Sequence, residues 1–405
     1  MTTQPGGEVT EPVRDEPSRA IVVALPRELV PYARSPLRWR PGCGVTVLGA
    51  DLDTLPAMLA AIVSAQRSIV LETYILVADE TGDRFKAALI ERAKAGVQVR
   101  LLYDAVGSFG LAESWIAGLR AAGVEAVCWN PIATWRRKYR LSHRDHRKIL
   151  VIDDRLAFTG GINLSNDYAS KAEGGKGWHD IHCKVTGPIV FDLARTFRRT
   201  WLRAGGAHYP PVPATATAPP GDGPSYVRLL DNTRVRARGT IRRAYLHAIR
   251  AARSAVWIQN AYFLPDRGLR RALGRAARRG VDVRVMVPGR SDVRLVEWAS
   301  LYALKWLARA GVKVLRWRGP MMHAKTATVD EAWSTIGSYN FDAQSRFSNL
   351  EVNVEILDPE TALTLAKNFE TVAMTCDPFD ESAWHHLPWW RKALAWLSYR
   401  LRRFL

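Results

Sequence analysis

One pattern occurs twice in this chain, and it restricts the fold more than anything else in it. His146-Arg147-Lys148 is followed by four residues and then Asp153. His323-Ala324-Lys325 is followed by four residues and then Asp330. The match continues downstream. Seven residues after each Asp stands Gly160 or Gly337, next comes Gly161 or Ser338, and Asn163 or Asn340 lies ten residues after the Asp. Upstream, Gly96-Val97-Gln98-Val99-Arg100 parallels Gly280-Val281-Asp282-Val283-Arg284. Ala122-Gly123-Val124 before Trp129 parallels Ala310-Gly311-Val312 before Trp317. A repeat whose period is a whole domain predicts two similar halves.

Helix and strand patterns alternate within each half. The first reads as helix 55–66, strand 68–76, helix 83–95, strand 97–103, helix 111–122 and strand 124–129. The second reads as helix 241–252, strand 256–259, helix 269–279, strand 281–287, helix 295–310 and strand 312–316. This predicts an α/β fold with a mixed sheet in each half. The expected boundaries are a flexible tail over 1–20, a first half over 21–204, a linker over 205–225 with six prolines, a second half over 226–383 and a C-terminal segment over 384–405.

HRKILVID and HAKTATVD alternate like strands, so each His and Lys, two residues apart, project from one face. The Asp seven residues beyond falls on the other face, which suits architecture or support better than contact with substrate. The glycines let a turn bring backbone close to a ligand, and the Asn adds an amide donor. Two such strands side by side converge two His, two Lys and two Asn on one cationic volume suited to a phosphate. No dense carboxylate or His/Cys group offers a metal site, and the four cysteines form neither a CxxC pair nor a disulfide framework.

The paired HxKxxxxD motifs with trailing G[GS]xN resemble the phospholipase D superfamily, over nearly the whole chain after the tail. The resemblance implies two α/β sandwich halves packed with pseudo-two-fold symmetry around one active site. It implies His146, Lys148, Asp153, His323, Lys325 and Asp330 as the catalytic set, with Asn163 and Asn340 on the substrate phosphate and no metal or cofactor. It implies one His as nucleophile forming a phosphohistidine and the other as general acid and base. His146 is assigned the first role and His323 the second, although the symmetry allows the reverse. It also implies an acidic residue on each catalytic His, for which Asp180 and Glu351 fit. Glu72 is a further candidate for the pocket wall.

The substrate is read from the surface and the C-terminus. There are 58 Lys and Arg against 39 Asp and Glu, a net charge of +19, and 15 Trp. Such a chain attracts nucleic acid or an anionic membrane. No run is long and apolar enough to span a bilayer. Residues 384–405 carry four Trp and five basic residues, with Leu394, Leu397, Leu401 and Phe404 at helical spacing. They read as a basic amphipathic helix for an anionic membrane surface, or as a helix docked on its own domain. The run Arg136–Arg140 reads as a headgroup-attracting loop. Together with YFLPD at 262–266 and GSYNFDAQSRFSNLE at 337–351, these features resemble the shorter bacterial cardiolipin synthases. That resemblance implies phosphatidyl transfer between two phosphatidylglycerols with release of glycerol, at the cytoplasmic face of the bacterial inner membrane. The alternative is a phospholipase or nuclease with water as acceptor. Nucleic acid is disfavoured as a partner, but charge alone does not exclude it.

Overall fold

The computed structural model describes residues 23–402 apart from 36, 50–53, 132–142, 213–220 and 234–236. The expected tail 1–20, the basic run Arg136–Arg140, three of the six prolines of the linker and Arg403 and Phe404 lie outside the described residues.

In the first half, β1 (Arg40–Gly49) leads to α1 (Thr54–Ser64), β2 (Ser68–Thr73), α2 (Glu80–Lys94), β3 (Gln98–Asp104), α3 (Glu113–Ala121) and β4 (Glu125–Trp129). A hairpin follows, β5 (Ile149–Ile152) and β6 (Leu156–Gly160), then β7 (Ile181–Thr186) and α4 (Ile189–Arg203). The second half repeats this order. It runs β8 (Ser225–Asp231), α5 (Thr240–Ala251), β9 (Ala255–Asn260), α6 (Arg267–Arg278), β10 (Asp282–Pro288), α7 (Arg294–Arg309) and β11 (Lys313–Trp317). Then come β12 (Lys325–Val329), β13 (Trp333–Gly337), the short α8 (Ala343–Phe347), β14 (Val352–Leu357) and α9 (Pro359–Ala373). Three elements extend it: β15 (Cys376–Phe379), α10 (Glu381–His386) and α11 (Trp389–Arg400).

Strand order shows the duplication directly. The first half reads β4-β3-β2-β5-β6-β7-β1 and the second β11-β10-β9-β12-β13-β14-β8, with β15 added at the β11 edge. β2-β3-β4 and β9-β10-β11 are parallel, and the other pairings are antiparallel. The halves join where β1 pairs antiparallel with β8.

The repeated glycines have a local cause. Gly96, Gly123, Gly280 and Gly311 each follow a helix with φ between 86° and 92°. Left-handed backbone there ends the helix, and glycine adopts it without a Cβ penalty. The valine after each is buried and starts the next strand's descent into the core. β5, β12, β13 and β14 are buried along their whole length. Only β5 (ILVI) reads as the apolar run expected of a strand covered on both faces; β12 and β14 bury polar side chains among apolar ones.

The halves share a core. Val151 of β5, Phe197 and Trp201 of α4, Val354 of β14 and Phe369 of α9 belong to one buried cluster. The N-terminal stretch departs from the expected boundary. Leu29, Tyr32 and Trp39, assigned from sequence to the first half, pack in the second half's core with Tyr245 and Trp333, and the Tyr32 hydroxyl donates to Asp330 at 2.8 Å. The expected linker is not free where it is described: Tyr209 packs on Phe197, and its carbonyl accepts from Arg198 at 2.8 Å.

Candidate active site

Each motif sits at the entry of a central strand. His146 and His323 precede β5 and β12, and both are buried with Lys148 and Lys325. Each lysine folds back, its ammonium donating to the carbonyl of its own motif histidine, at 2.6 Å for Lys148.

Short parallel bridges stitch the two motifs to the opposite half. The His146 N–H donates to Leu350 O at 3.0 Å, and Leu350 N–H to Arg144 O at 2.8 Å. In the symmetry-related place, His323 N–H donates to His179 O at 2.6 Å, and His179 N–H to Met321 O at 3.0 Å. The residues after Leu350 and His179 are Glu351 and Asp180, so the carboxylates are exchanged. His146 Nδ1 donates to Glu351 Oε2 at 3.1 Å, and His323 Nδ1 donates to Asp180 Oδ2 at 2.7 Å. Each imidazole is thereby held with its proton on Nδ1 and its Nε2 lone pair free.

The electrostatics follow from burial of like charges. Burial lowers His146, and Lys148 lowers it further, against the pull of Glu351. Burial and Lys325 likewise hold His323 below the usual histidine value, against Asp180. The resting state therefore has two neutral imidazoles. Burial would raise Asp180, but Lys325 and His323 bring it down to about 2. Burial drops Lys148 to about 7 and Lys325 to about 8. Each histidine also feels the lysine of the other half, so the two motifs face one volume. Two desolvated ammonium groups facing one volume favour an anionic ligand.

The motif aspartates lie elsewhere. Asp153 begins the tight β5–β6 turn, where Asp153 and Asp154 have φ of 53° and 56°. Asp330 and Glu331 do the same between β12 and β13, at 52° and 51°. Short polar residues tolerate this left-handed backbone. The Asp153 carboxylate accepts the N–H groups of Gln66, Arg67 and Ser68 at 2.7–2.9 Å. That of Asp330 accepts those of Arg253, Ser254 and Ala255 at 2.7–2.8 Å. Each ties the start of a parallel strand to the hairpin.

Four sequence readings change. A Cβ at Gly161 would lie 2.1 Å from Asp180 Oδ1, so this glycine makes room for a carboxylate rather than for a ligand. Its counterpart Ser338 donates its hydroxyl to Glu351 Oε2. Asn163 is engaged by the protein at both ends of its amide, unlike Asn340 at its oxygen. Its Nδ2 donates to Tyr168 Oη at 2.7 Å and its Oδ1 accepts from Ile75 N–H at 3.1 Å, whereas Asn340 Oδ1 has no partner among the described residues. Glu72 is fully buried and pairs with Arg147 at 2.7 Å instead of lining an open pocket. The segment 384–405 is not one helix. It breaks at Leu387-Pro388, and α11 docks on α7 through Ala395, Ser398 and Tyr399.

Sequence reasoning missed the aromatic walls. The Tyr74 ring stands edge-on to His146 at 4.9 Å between centroids, and Tyr168, Trp178 and Tyr262 surround His323 at 5.4, 5.9 and 6.3 Å. These residues fall outside the motifs; Tyr74, Trp178 and Tyr262 lie in stretches singled out for Glu72, Asp180 and YFLPD, but none was read as a wall of the site.

Fold and site together define a two-half phosphodiester-processing enzyme of the phospholipase D superfamily. Residues 58–201 and 245–373 match the family described as cardiolipin synthase, PLD-like domain, and the chain belongs to that family. It is 34% identical over 377 residues to cardiolipin synthase B of Salmonella typhi, covering 90% of this chain and 89% of that one. It is 33% identical to a cardiolipin synthase of Geobacillus kaustophilus, covering 87% and 72%. Among solved structures, phosphatidylserine synthase of Haemophilus influenzae superposes with a TM-score of 0.69 at 13% identity, over 91% of this chain and 97% of that one. That likeness concerns the fold.

Proposed function

We propose that the protein makes cardiolipin by phosphatidyl transfer between two phosphatidylglycerol molecules. The observation that carries the mechanism is the exchanged pair of His–carboxylate contacts above two buried lysines. Lys148 and Lys325 hold the phosphodiester anion, with Asn340 as a further donor. The Nε2 lone pair of His146 attacks phosphorus, and the bond from phosphorus to the glycerol oxygen breaks. His323, protonated on Nε2 once the substrate anion is bound, gives that proton to the departing glycerol. The primary hydroxyl of a second phosphatidylglycerol then loses its proton to His323, and its oxygen displaces His146 from phosphorus. One ester is broken and one formed, and the proton on His323 is restored. Positioning and electrostatic stabilisation carry most of such a reaction, and proton transfer by one histidine contributes about 10²–10⁴-fold.

The membrane surface is reached through α11. It docks by its small and polar side and turns its apolar side outward. Trp389 is 79% exposed, and Trp396, Leu397 and Leu401 are 48%, 52% and 45% exposed, beside Trp306 of α7 at 48%. Arg400 lies over the Trp396 ring. Tryptophan and arginine on one outward face suit the headgroup region of an anionic bilayer. Among the described residues no helix is long and apolar enough to cross it. The protein then acts as a peripheral enzyme on the cytoplasmic face of the inner membrane.

Purified protein incubated with phosphatidylglycerol vesicles in EDTA should release one glycerol per cardiolipin formed, read by mass spectrometry. Phosphatidic acid as the sole lipid product would replace transfer with hydrolysis.

A further inference from the structure

The rim of the site beside His323 is acidic, which a phosphate pocket alone does not explain. Asp292 lies in the loop between β10 and α7, four residues past the end of β10, and is exposed. The hydroxyl of Tyr262 donates to both of its oxygens, at 2.8 and 2.7 Å. The same Tyr262 ring stands edge-on to His323, so one side chain links this carboxylate to the reacting imidazole. Asp292 makes no ion pair among the described residues of a chain with net charge +19. Its charge is felt by Tyr74, Tyr168 and Lys325, which flank both histidines.

The matching place in the first half is different. Ser108, four residues past the end of β3, is buried, and its hydroxyl is engaged by Tyr74 O at 3.3 Å and Leu76 N–H at 3.1 Å. At this position, among the described residues, the His323 side carries an exposed carboxylate and the His146 side a buried, hydrogen-bonded serine.

A carboxylate only accepts hydrogen bonds, and the hydroxyls of Tyr262 and of Ser291, which donates to Oδ1 at 3.2 Å, leave further lone pairs of Asp292 open. It repels a phosphodiester and attracts neutral hydroxyl donors. Building on the transfer reaction above, we propose that Asp292, oriented by Tyr262, is the receptor for the vicinal hydroxyls of the glycerol headgroup. The leaving glycerol and the incoming acceptor occupy it in turn. Each keeps one oxygen at His323 Nε2 while another hydroxyl donates to Asp292. This places the polyol on the His323 side and makes His146 the nucleophile.

The test is a competition between acceptors, using a phosphatidyl donor with a p-nitrophenol leaving group. With the wild-type protein, glycerol should outcompete 1-propanol at equal concentration. Asp292→Asn should cut that preference about ten- to a hundredfold, the loss of one charge-assisted hydrogen bond. Tyr262→Phe, which keeps the charge but frees the carboxylate, should cut it less and in the same direction. Equal use of glycerol and 1-propanol by the wild type overturns the inference, as does an unchanged preference in either variant with an unaltered melting temperature. Failure of the wild type to make cardiolipin from phosphatidylglycerol is a separate outcome. It would count against the transfer reaction, while the acceptor preference would still report on Asp292.

Discussion

The two halves share one strand order and one placement of His, Lys and Asp, yet their surroundings differ in charge. In the first half Arg147 is buried between Glu72 and Asp145, at 2.7 and 3.0 Å. The corresponding positions in the second half are Ala324, Gln259 and Met322, all neutral, and the acids there, Asp292 and Asp342, are near Lys325 instead. Gly161 in one half answers Ser338 in the other. Geometry is thus two-fold and chemistry is not, which teaches that the histidines are not interchangeable. A buried ion-paired cluster next to His146 favours a fixed group, and an acidic, partly open rim next to His323 favours proton exchange with alcohols.

The hardest test of this comparison removes each histidine. His146→Ala and His323→Ala should both lose about 10³-fold or more in cardiolipin formation. Only His323→Ala should accumulate a labelled phosphatidyl-enzyme from a donor with a good leaving group. Label on His323 in the His146→Ala protein would invert the roles. The carboxylates sharpen the point, because their effects should cross between halves. With a donor whose leaving group needs no proton, Glu351→Gln should slow formation of the intermediate and Asp180→Asn its breakdown, each by about 10²-fold. Single-turnover kinetics separates the two steps, and equal effects on both would erase the distinction.

A third expectation is common to both halves. Lys148 and Lys325, at about 7 and 8, lose their protons far below the ordinary lysine value. The KM for a short phosphodiester should therefore rise by about tenfold per pH unit between about 7 and 8, as Lys148 loses its charge, and by up to about a hundredfold per unit above about 8, once Lys325 loses its charge too. Linkage has the matching sign. Between pH 7 and 10.5 the unfolded chain binds protons that the folded site does not, so stability should rise with pH across that window. A flat KM to pH 9 would deny the lysines their part.

The extension that only the second half carries gives a smaller effect. Trp389→Ala with Trp396→Ala should weaken binding to anionic vesicles several-fold with little salt dependence, since that contribution is apolar burial. Tyr399→Ala should instead lower the melting temperature, because Tyr399 packs in a cluster with Val296 and Ala303. The smallest change is expected at the turns. Asp153→Ala and Asp330→Ala should each cost about 1–2 kcal/mol of stability, as backbone N–H groups near the surface return to water.

Much of this was legible in the sequence. The repeat, with its matching Gly-Val segments, and the motif spacing reveal two halves and the four central side chains. The exchange of Asp180 and Glu351 was not, because the contacts span 143 and 205 residues and depend on how the halves dock. The N-terminal stretch was misassigned for a related reason. The boundary was drawn at the linker, and chain order does not say beneath which half Leu29 and Trp39 pack. The aromatic walls escaped because Tyr168 and Trp178 follow no repeated spacing, and a ring's role depends on the group it faces.

The crossed carboxylates also order events in time. Glu351 leaves the ribosome 205 residues after His146, a delay of roughly 10–40 s at about 5–20 residues per second. During that interval the nascent first half holds its histidine without the group that orients it. Contacts this distant in sequence also close late in folding. A half-made or truncated chain is thereby chemically silent toward the phosphodiesters around it, and reactivity switches on only when the last strands dock.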